Sequence, residues 1–229
     1  MCGIAGVVAC DAGRYRENLQ AMVHALRHRG PDGSGMHFFG NCALGHARLS
    51  VIDLETGGQP MRSSRSNVAV TFNGEIYGYQ EIRNAHREYP FRTASDTEVI
   101  LALHERFGAE MAGRLPGMFA FALWDDARQE LLCARDRFGE KPFYYAYGIG
   151  GEFLFASELK ALVASRLVEP ELSPEAVAHY LRRLYVHPRQ TIYRNVHVLP
   201  PAHRLLYRDG RLSVERYWGL PETRNDLDG

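Results

Sequence analysis

Apolar residues recur along this chain at two spacings, and each spacing predicts a kind of element. Short runs rich in aromatic and β-branched residues, closed off by Gly, Asp, Asn or Pro, predict strands. They cover Ile4 to Val8, Ala43 to Ile52, Val68 to Phe72, Phe119 to Trp124, Glu130 to Arg135, Phe143 to Tyr147 and Phe153 to Ala156. In the third run Val68, Val70 and Phe72 alternate and share one face. Helical spacing is rarer. Leu19, Met22, Val23 and Leu26 fall at i, i+3, i+4 and i+7, which predicts a helix between Arg14 and Arg27. Ser95 with Glu98 spells an S-x-x-E capping box, and Ile100, Leu103 and Phe107 continue along one helical face. Ser173 and Pro174 open a third predicted helix, expected to bury Val177, Tyr180, Leu181 and Leu184. Asp209-Gly210, between two apolar runs, predicts a hairpin turn. Strands outnumber helices and no βαβ rhythm runs through the chain, so the predicted class is α+β with mainly antiparallel sheet. Residues 219–229 carry several charges and little to bury, and are expected to be a linker or a truncated C-terminal end.

Composition and charge then act mainly by exclusion. The 229 residues hold 27 Lys plus Arg against 27 Asp plus Glu, a balance unsuited to gripping phosphate backbones or anionic lipid. Nucleic acid is not expected as a partner. No apolar stretch approaches the ~20 residues of a helical span, so no membrane is expected either. Cys2, Cys10, Cys42 and Cys133 make no C-x-x-C pair and no tight cluster, which is not a zinc pattern. Without an export signal ahead of Asp11 the chain reads as cytoplasmic and reduced, with every thiol but that of Cys2 expected to be a small buried hydrophobe. There is no G-x-x-x-x-G-K-[ST] loop and no G-x-G-x-x-G fingerprint, so no ATP cradle is expected in these residues. His24 and His28 have metal-ligand spacing but lack an H-E-x-x-H context, and no metal is expected there.

Four features carry candidate chemistry. Removal of Met1 would leave the Cys2 thiol and a free α-amine on one residue. An α-amine of reference pKa ~7.7 to 8.0 can take the proton of a thiol near ~8.5, so nucleophile and base would come together. Gly3 behind it is expected to let a substrate approach the backbone closely. Asn73-Gly74 follows a strand and reads most simply as a turn, though the same pair can present an amide and a backbone N–H side by side as an oxyanion hole. Arg48 sits in an otherwise apolar stretch and wants an anionic partner, either a structural carboxylate or a ligand. Asp96 is expected in the first turn of the capped helix, where the helix dipole alone would favour it.

Taken in order, Met1-Cys2-Gly3-Ile4-Ala5-Gly6, His28-Arg29-Gly30-Pro31-Asp32-Gly33, Arg48-Leu49-Ser50-Val51-Ile52-Asp53, Phe72-Asn73-Gly74-Glu75-Ile76-Tyr77, Ser95-Asp96-Thr97-Glu98 and the run from Arg135 to Pro142 resemble class II glutamine amidotransferases. The run Phe155 to Leu162 and the segment through Trp218 resemble the glutaminase half of glutamine-hydrolysing asparagine synthetases. The resemblance implies a single glutaminase domain over residues 1–218, built as a four-layer αββα sandwich of two antiparallel sheets, the N-terminal nucleophile hydrolase fold. It implies that Cys2 attacks L-glutamine and forms a γ-glutamyl thioester. It also implies that Arg48 takes the α-carboxylate, Asp96 the α-ammonium, and Asn73 with Gly74 the oxyanion, with Glu75 beside the substrate. Leu49, Ser50, Val51 and Ile52, running on to Gly57-Gly58, are implied to shape the pocket and close over it. ATP and Mg belong, by the same resemblance, to an ATP-dependent synthetase domain or subunit outside these residues. The family is also compatible with a homo-oligomer. A catalytically silent glutamine-binding or synthetase-docking module is the competing reading.

Overall fold

The first strand sets the layering. In the computed structural model, which describes residues 1–220, β1 (Gly3–Val8) is buried along its whole length. Side chains alternate across a strand. Ile4 and Val8 therefore enter one core, and Ala5 and Val7 enter another on the opposite face. The same alternation repeats in β6 (Gly117–Asp125), where Ala120, Ala122 and Trp124 point inward and Phe119, Phe121 and Leu123 outward.

Two six-stranded sheets follow from these pairings, and every paired neighbour is antiparallel. The first runs β10 (Val196–Val198), β8 (Tyr144–Tyr147), β9 (Phe153–Ala156), β1, β3 (Cys42–Arg48), β2 (Gly33–Phe38). The second runs β12 (Arg211–Arg216), β11 (His203–Arg208), β7 (Glu130–Arg135), β6, β5 (Val68–Ile76), β4 (Met61–Arg62). Between them lie Leu44, Trp124, Leu131, Phe143, Phe153 and Phe155, with the Phe143 and Phe155 rings stacked 5.5 Å apart. Burying each large apolar side chain contributes about 1.5–3 kcal/mol, so this seam is a main source of stability. Helices α1 (Arg16–Ala25) and α4 (Leu159–Ala164) cover the first sheet through Leu19, Met22, Val23, Ala161 and Leu162. On the second sheet, α3 (Glu98–Phe107) packs Val99, Ile100 and Leu103, with Ile82 of α2 (Tyr79–Ala85) at the edge. The order helix, sheet, sheet, helix is the expected four-layer αββα sandwich of two antiparallel sheets.

Local expectations fare unevenly. The Asp209-Gly210 hairpin forms, with φ of 51° and 72° at its two residues. Ser173 caps α5 (Pro174–Arg183) by accepting the Ala176 N–H at 3.2 Å. The predicted burial on α5 is wrong, however: Leu181 and Leu184 are 73% and 80% exposed, and only Ala176 is buried. Periodicity identifies an apolar stripe but not whether the same chain covers it. The capping box also fails. Glu98 turns away from Ser95 and accepts from the backbone N–H groups of Arg92 and Thr93, and α3 begins two residues later than the motif suggests, with Thr97 and not Ser95 at the N-cap. The strand expected through Ile52 ends at Arg48. Cys42 and Cys133 are buried as expected, but Cys10 is exposed. Among the described residues no helix is long and apolar enough to cross a membrane. Of the expected C-terminal linker, residues 221–229 lie outside the described residues.

Candidate active site

Cys2 sits at the open end of β1, where three separate segments hold it. Arg29 donates Nε–H to the Cys2 carbonyl at 2.9 Å and is itself held by Glu158 at 2.8 Å. The Leu49 N–H reaches the Cys2 sulfur at 3.4 Å, and the thiol donates to the Leu49 carbonyl at 3.6 Å. One residue further, Ile4 N–H donates to Ser157 Oγ and Ser157 N–H returns to the Ile4 carbonyl. Burial pushes the Cys2 thiol above its ordinary pKa, against the opposing pull of the Leu49 N–H, the terminal amine and Arg48. A side chain at Gly3 would meet Leu26 Cβ at 2.7 Å, so packing against the residue that ends α1 already calls for glycine there.

Opposite Cys2, Asn73 and Gly74 are not a turn. Both continue β5 and pair with Ala120 and Phe119 of β6. Backbone N–H groups alternate between the two edges of a strand. Those of Phe72 and Ile76 leave on the side away from β6 and are taken by Gln59 Oε1 at 2.7 Å and Asp96 Oδ2 at 3.0 Å. The Gly74 N–H lies between them on the same edge, which β4 leaves open because it pairs only with Ala69 and Val70. Gly74 admits no side chain, since a Cβ would stand 2.1 Å from the Met118 carbonyl. Asn73 is 1% exposed, and both amide atoms, Nδ2 and Oδ1, are buried without a hydrogen-bond partner. An orphaned buried amide costs stability, typically ~1–3 kcal/mol, and calls for a ligand.

Between these two walls is a cavity of about 150 Å³. It is smaller than the ~300–1,000 Å³ typical of drug-sized ligands and suits a small metabolite. Every predicted site residue lines it except Ser50, whose N–H instead donates to Asp32 at 2.7 Å and pins the loop from outside. Arg48 makes no ion pair among the described residues. Two of its terminal nitrogens hold the carbonyls of Asp53 and Leu54, which leaves the remaining N–H groups of the fork for a ligand. Asp53 fixes the same loop through Thr56 and the Ala94 N–H. Asp96 precedes α3 instead of entering its first turn; it is 4% exposed, accepts the Ile76 N–H and pairs with no cation among the described residues. Burial raises its pKa, with Glu75 adding to that. Glu75 lines the rim.

The sequence reading missed three contributors. Arg29 clamps the nucleophile's carbonyl, Gln59 completes the β5 edge, and Lys141 lines the cavity. Arg29 and Lys141 fall inside runs already singled out, so charged residues within those turn-rich runs were the available signal. Gln59 had none.

The comparisons agree with this geometry. A sequence family described as "Glutamine amidotransferase domain" matches residues 1–218. The chain is 33% identical to a putative glutamine-hydrolysing asparagine synthetase 2 of Methanocaldococcus jannaschii, across all of this chain and 48% of that protein. It is 44% identical to glutamine-hydrolysing asparagine synthetase 2 of Arabidopsis thaliana, over 71% of this chain and 28% of the relative. With asparagine synthetase B of Escherichia coli the identity is 42%, over 71% and 30%. The chain thus spans half or less of these relatives' length. Among solved structures, the glutamine phosphoribosylpyrophosphate amidotransferase of B. subtilis superposes with a TM-score of 0.69 at 20% identity, over 95% of this chain and 49% of that one. That likeness supports the fold, and the match along residues 1–218 settles kinship: this chain belongs to the class II glutamine amidotransferase domain family.

Proposed function

We propose that the cavity hydrolyses L-glutamine to glutamate and ammonia, with Cys2 as nucleophile once Met1 is removed. The Cys2 α-amine accepts the thiol proton, and the sulfur attacks the side-chain carboxamide carbon. The oxyanion so formed lies against Asn73 Nδ2 and the Gly74 N–H. Collapse transfers the amine's proton to the leaving nitrogen and releases ammonia. Water then attacks the γ-glutamyl thioester with the same amine as base, and glutamate leaves. Arg48 takes the α-carboxylate as a forked donor and Asp96 takes the α-ammonium. That pairing answers the burial of an Asp96 carboxylate that has no cation of its own.

The observation that carries this reading is the Asn73 amide, buried with both atoms unpartnered beside the open Gly74 N–H and facing the cavity that holds Cys2. Preorganised donors of this kind are worth ~2.7–4 kcal/mol of barrier each, and they stabilise nothing in the free protein. A module that only bound glutamine would have no need of them. We further assign the ammonia to an ATP-dependent amidation, asparagine formation by analogy with the named relatives, carried out by a synthetase domain or subunit where ATP and Mg would bind. Glutamate release from glutamine by the Met1-free protein, abolished in Cys2→Ala, tests the hydrolase; glutamine binding without release would favour the silent module.

A further inference from the structure

Lys141 has no place in the steps above, yet it is 5% exposed and lines the same cavity as Cys2. Its backbone N–H is held by Asp136 at 3.0 Å, which fixes where the side chain starts. The Asp136 carboxylate is occupied by the N–H groups of Phe119, Phe138, Glu140 and Lys141, and does not pair with the Lys141 ammonium. Among the described residues no carboxylate forms a salt bridge with Lys141. Its ammonium meets only Met1 Sδ, at 3.0 Å. A thioether is a weak acceptor, and a buried cation without a counter-ion is costly. The contact also lies on the one residue that the proposed maturation removes.

We propose that Lys141 is a positioning cation for the nucleophile: with Met1 gone, its ammonium faces the vacated space next to Cys2, disfavours protonation of the Cys2 α-amine and favours the thiolate. This inference rests on reading Cys2 as the nucleophile freed by loss of Met1. The other charges bearing on Cys2 are Arg48 at the end of β3, Asp96 ahead of α3, Glu75 on β5, and the Arg29–Glu158 pair behind the Cys2 carbonyl. Arg48 is anchored to loop carbonyls and Arg29 to Glu158, while Asp96 opposes the thiolate and Glu75 lines the same cavity. Arg48 and Lys141 both line the cavity without a carboxylate partner among the described residues, but Arg48 is tied to the Asp53 and Leu54 carbonyls, whereas the Lys141 ammonium is held only by the Met1 sulfur.

The experiment is the pH dependence of Cys2 alkylation by iodoacetamide in the Met1-free full chain, read by peptide mapping so that the exposed Cys10 does not interfere. It requires no turnover. Lys141→Met keeps the stem and removes the charge, and should raise the apparent pKa of Cys2 by about one unit, a roughly tenfold fall in rate below it. Lys141→Arg should restore the wild-type profile. In a purely packing role, Lys141→Met would change thermal stability or the rate at all pH values and leave the midpoint in place, and that result overturns the proposal. Lys141→Gln supplies the same measurement should the methionine variant fold poorly. A wild type that alkylates normally yet releases no glutamate refutes the hydrolase reading, while an unmoved midpoint with full turnover refutes only the role of Lys141.

Discussion

Leu49 holds the Cys2 sulfur with both ends of its own backbone, the N–H at 3.4 Å and the carbonyl at 3.6 Å. The two contacts favour opposite states: the N–H stabilises a thiolate, and the carbonyl accepts from a thiol. Burial tips the balance to the thiol. In the chain that still carries Met1, Cys2 should therefore be alkylated slowly at pH 7, its rate rising only above the ordinary thiol range. Peptide-resolved alkylation across pH checks this, and a midpoint below pH 8 would contradict it.

Asn73→Ala should lower kcat by about 10²–10³-fold, with much less effect on KM, because the lost donor acts on the oxyanion and not on the ground state. The same change should leave Tm unchanged or raise it, since the amide it removes has no partner in the folded protein. Steady-state kinetics beside a thermal melt test both halves. A fall in stability matching the fall in rate would mean the amide is structural.

Asp96→Asn should raise KM for glutamine by roughly 10–100-fold through loss of a charge-assisted bond worth ~1.5–3 kcal/mol. It should also stabilise the free protein at neutral pH. The folded state raises the Asp96 pKa, so ionisation works against folding, and that penalty enters as pH rises through the carboxylate's unfolded value. The stability gap between variant and wild type should therefore close in acid. Melts at pH 7 and pH 4 measure it.

His46 offers a test of the fold away from the chemistry. It lies buried between the sheets, with Nδ1 3.1 Å from Thr71 Oγ1. The Thr71 hydroxyl donates to the Gly45 carbonyl, so it accepts from His46 Nδ1–H, and Nε2 is left without a partner. Burial lowers the His46 pKa to about 3 from an ordinary 6.5. Below pH 6.5 the unfolded chain binds the proton that the folded one refuses, so stability is lost as pH falls, by up to ~1.4 kcal/mol per pH unit from this group. His46→Leu should flatten that part of the profile. Equal slopes for wild type and variant between pH 6.5 and 4.5 would rule the contribution out.

The fold was legible where local pattern and long-range packing agree. Val68, Val70 and Phe72 face α3 as their alternation requires, and Leu19, Met22 and Val23 face the first sheet. It was illegible where a partner distant in sequence decides. Asn73-Gly74 has the composition of a turn, yet nine successive pairs with β6 hold it in a strand. Glu98 has capping-box spacing, but the Arg92–Thr93 backbone competes for it more successfully. The α5 stripe is written in the sequence while its exposure is not. For the site, family motifs supplied residue identities, and only the geometry shows that Ser50 stays outside, that Gln59 and Lys141 line the cavity, and that Arg29 clamps Cys2 from behind.

The most direct measurement is peptide mapping of the protein acid-quenched during glutamine turnover. The account predicts a chain lacking Met1 that carries one γ-glutamyl group on Cys2 and none on Cys10. Steady turnover with Met1 still attached, or with the acyl group on any other residue, would contradict it.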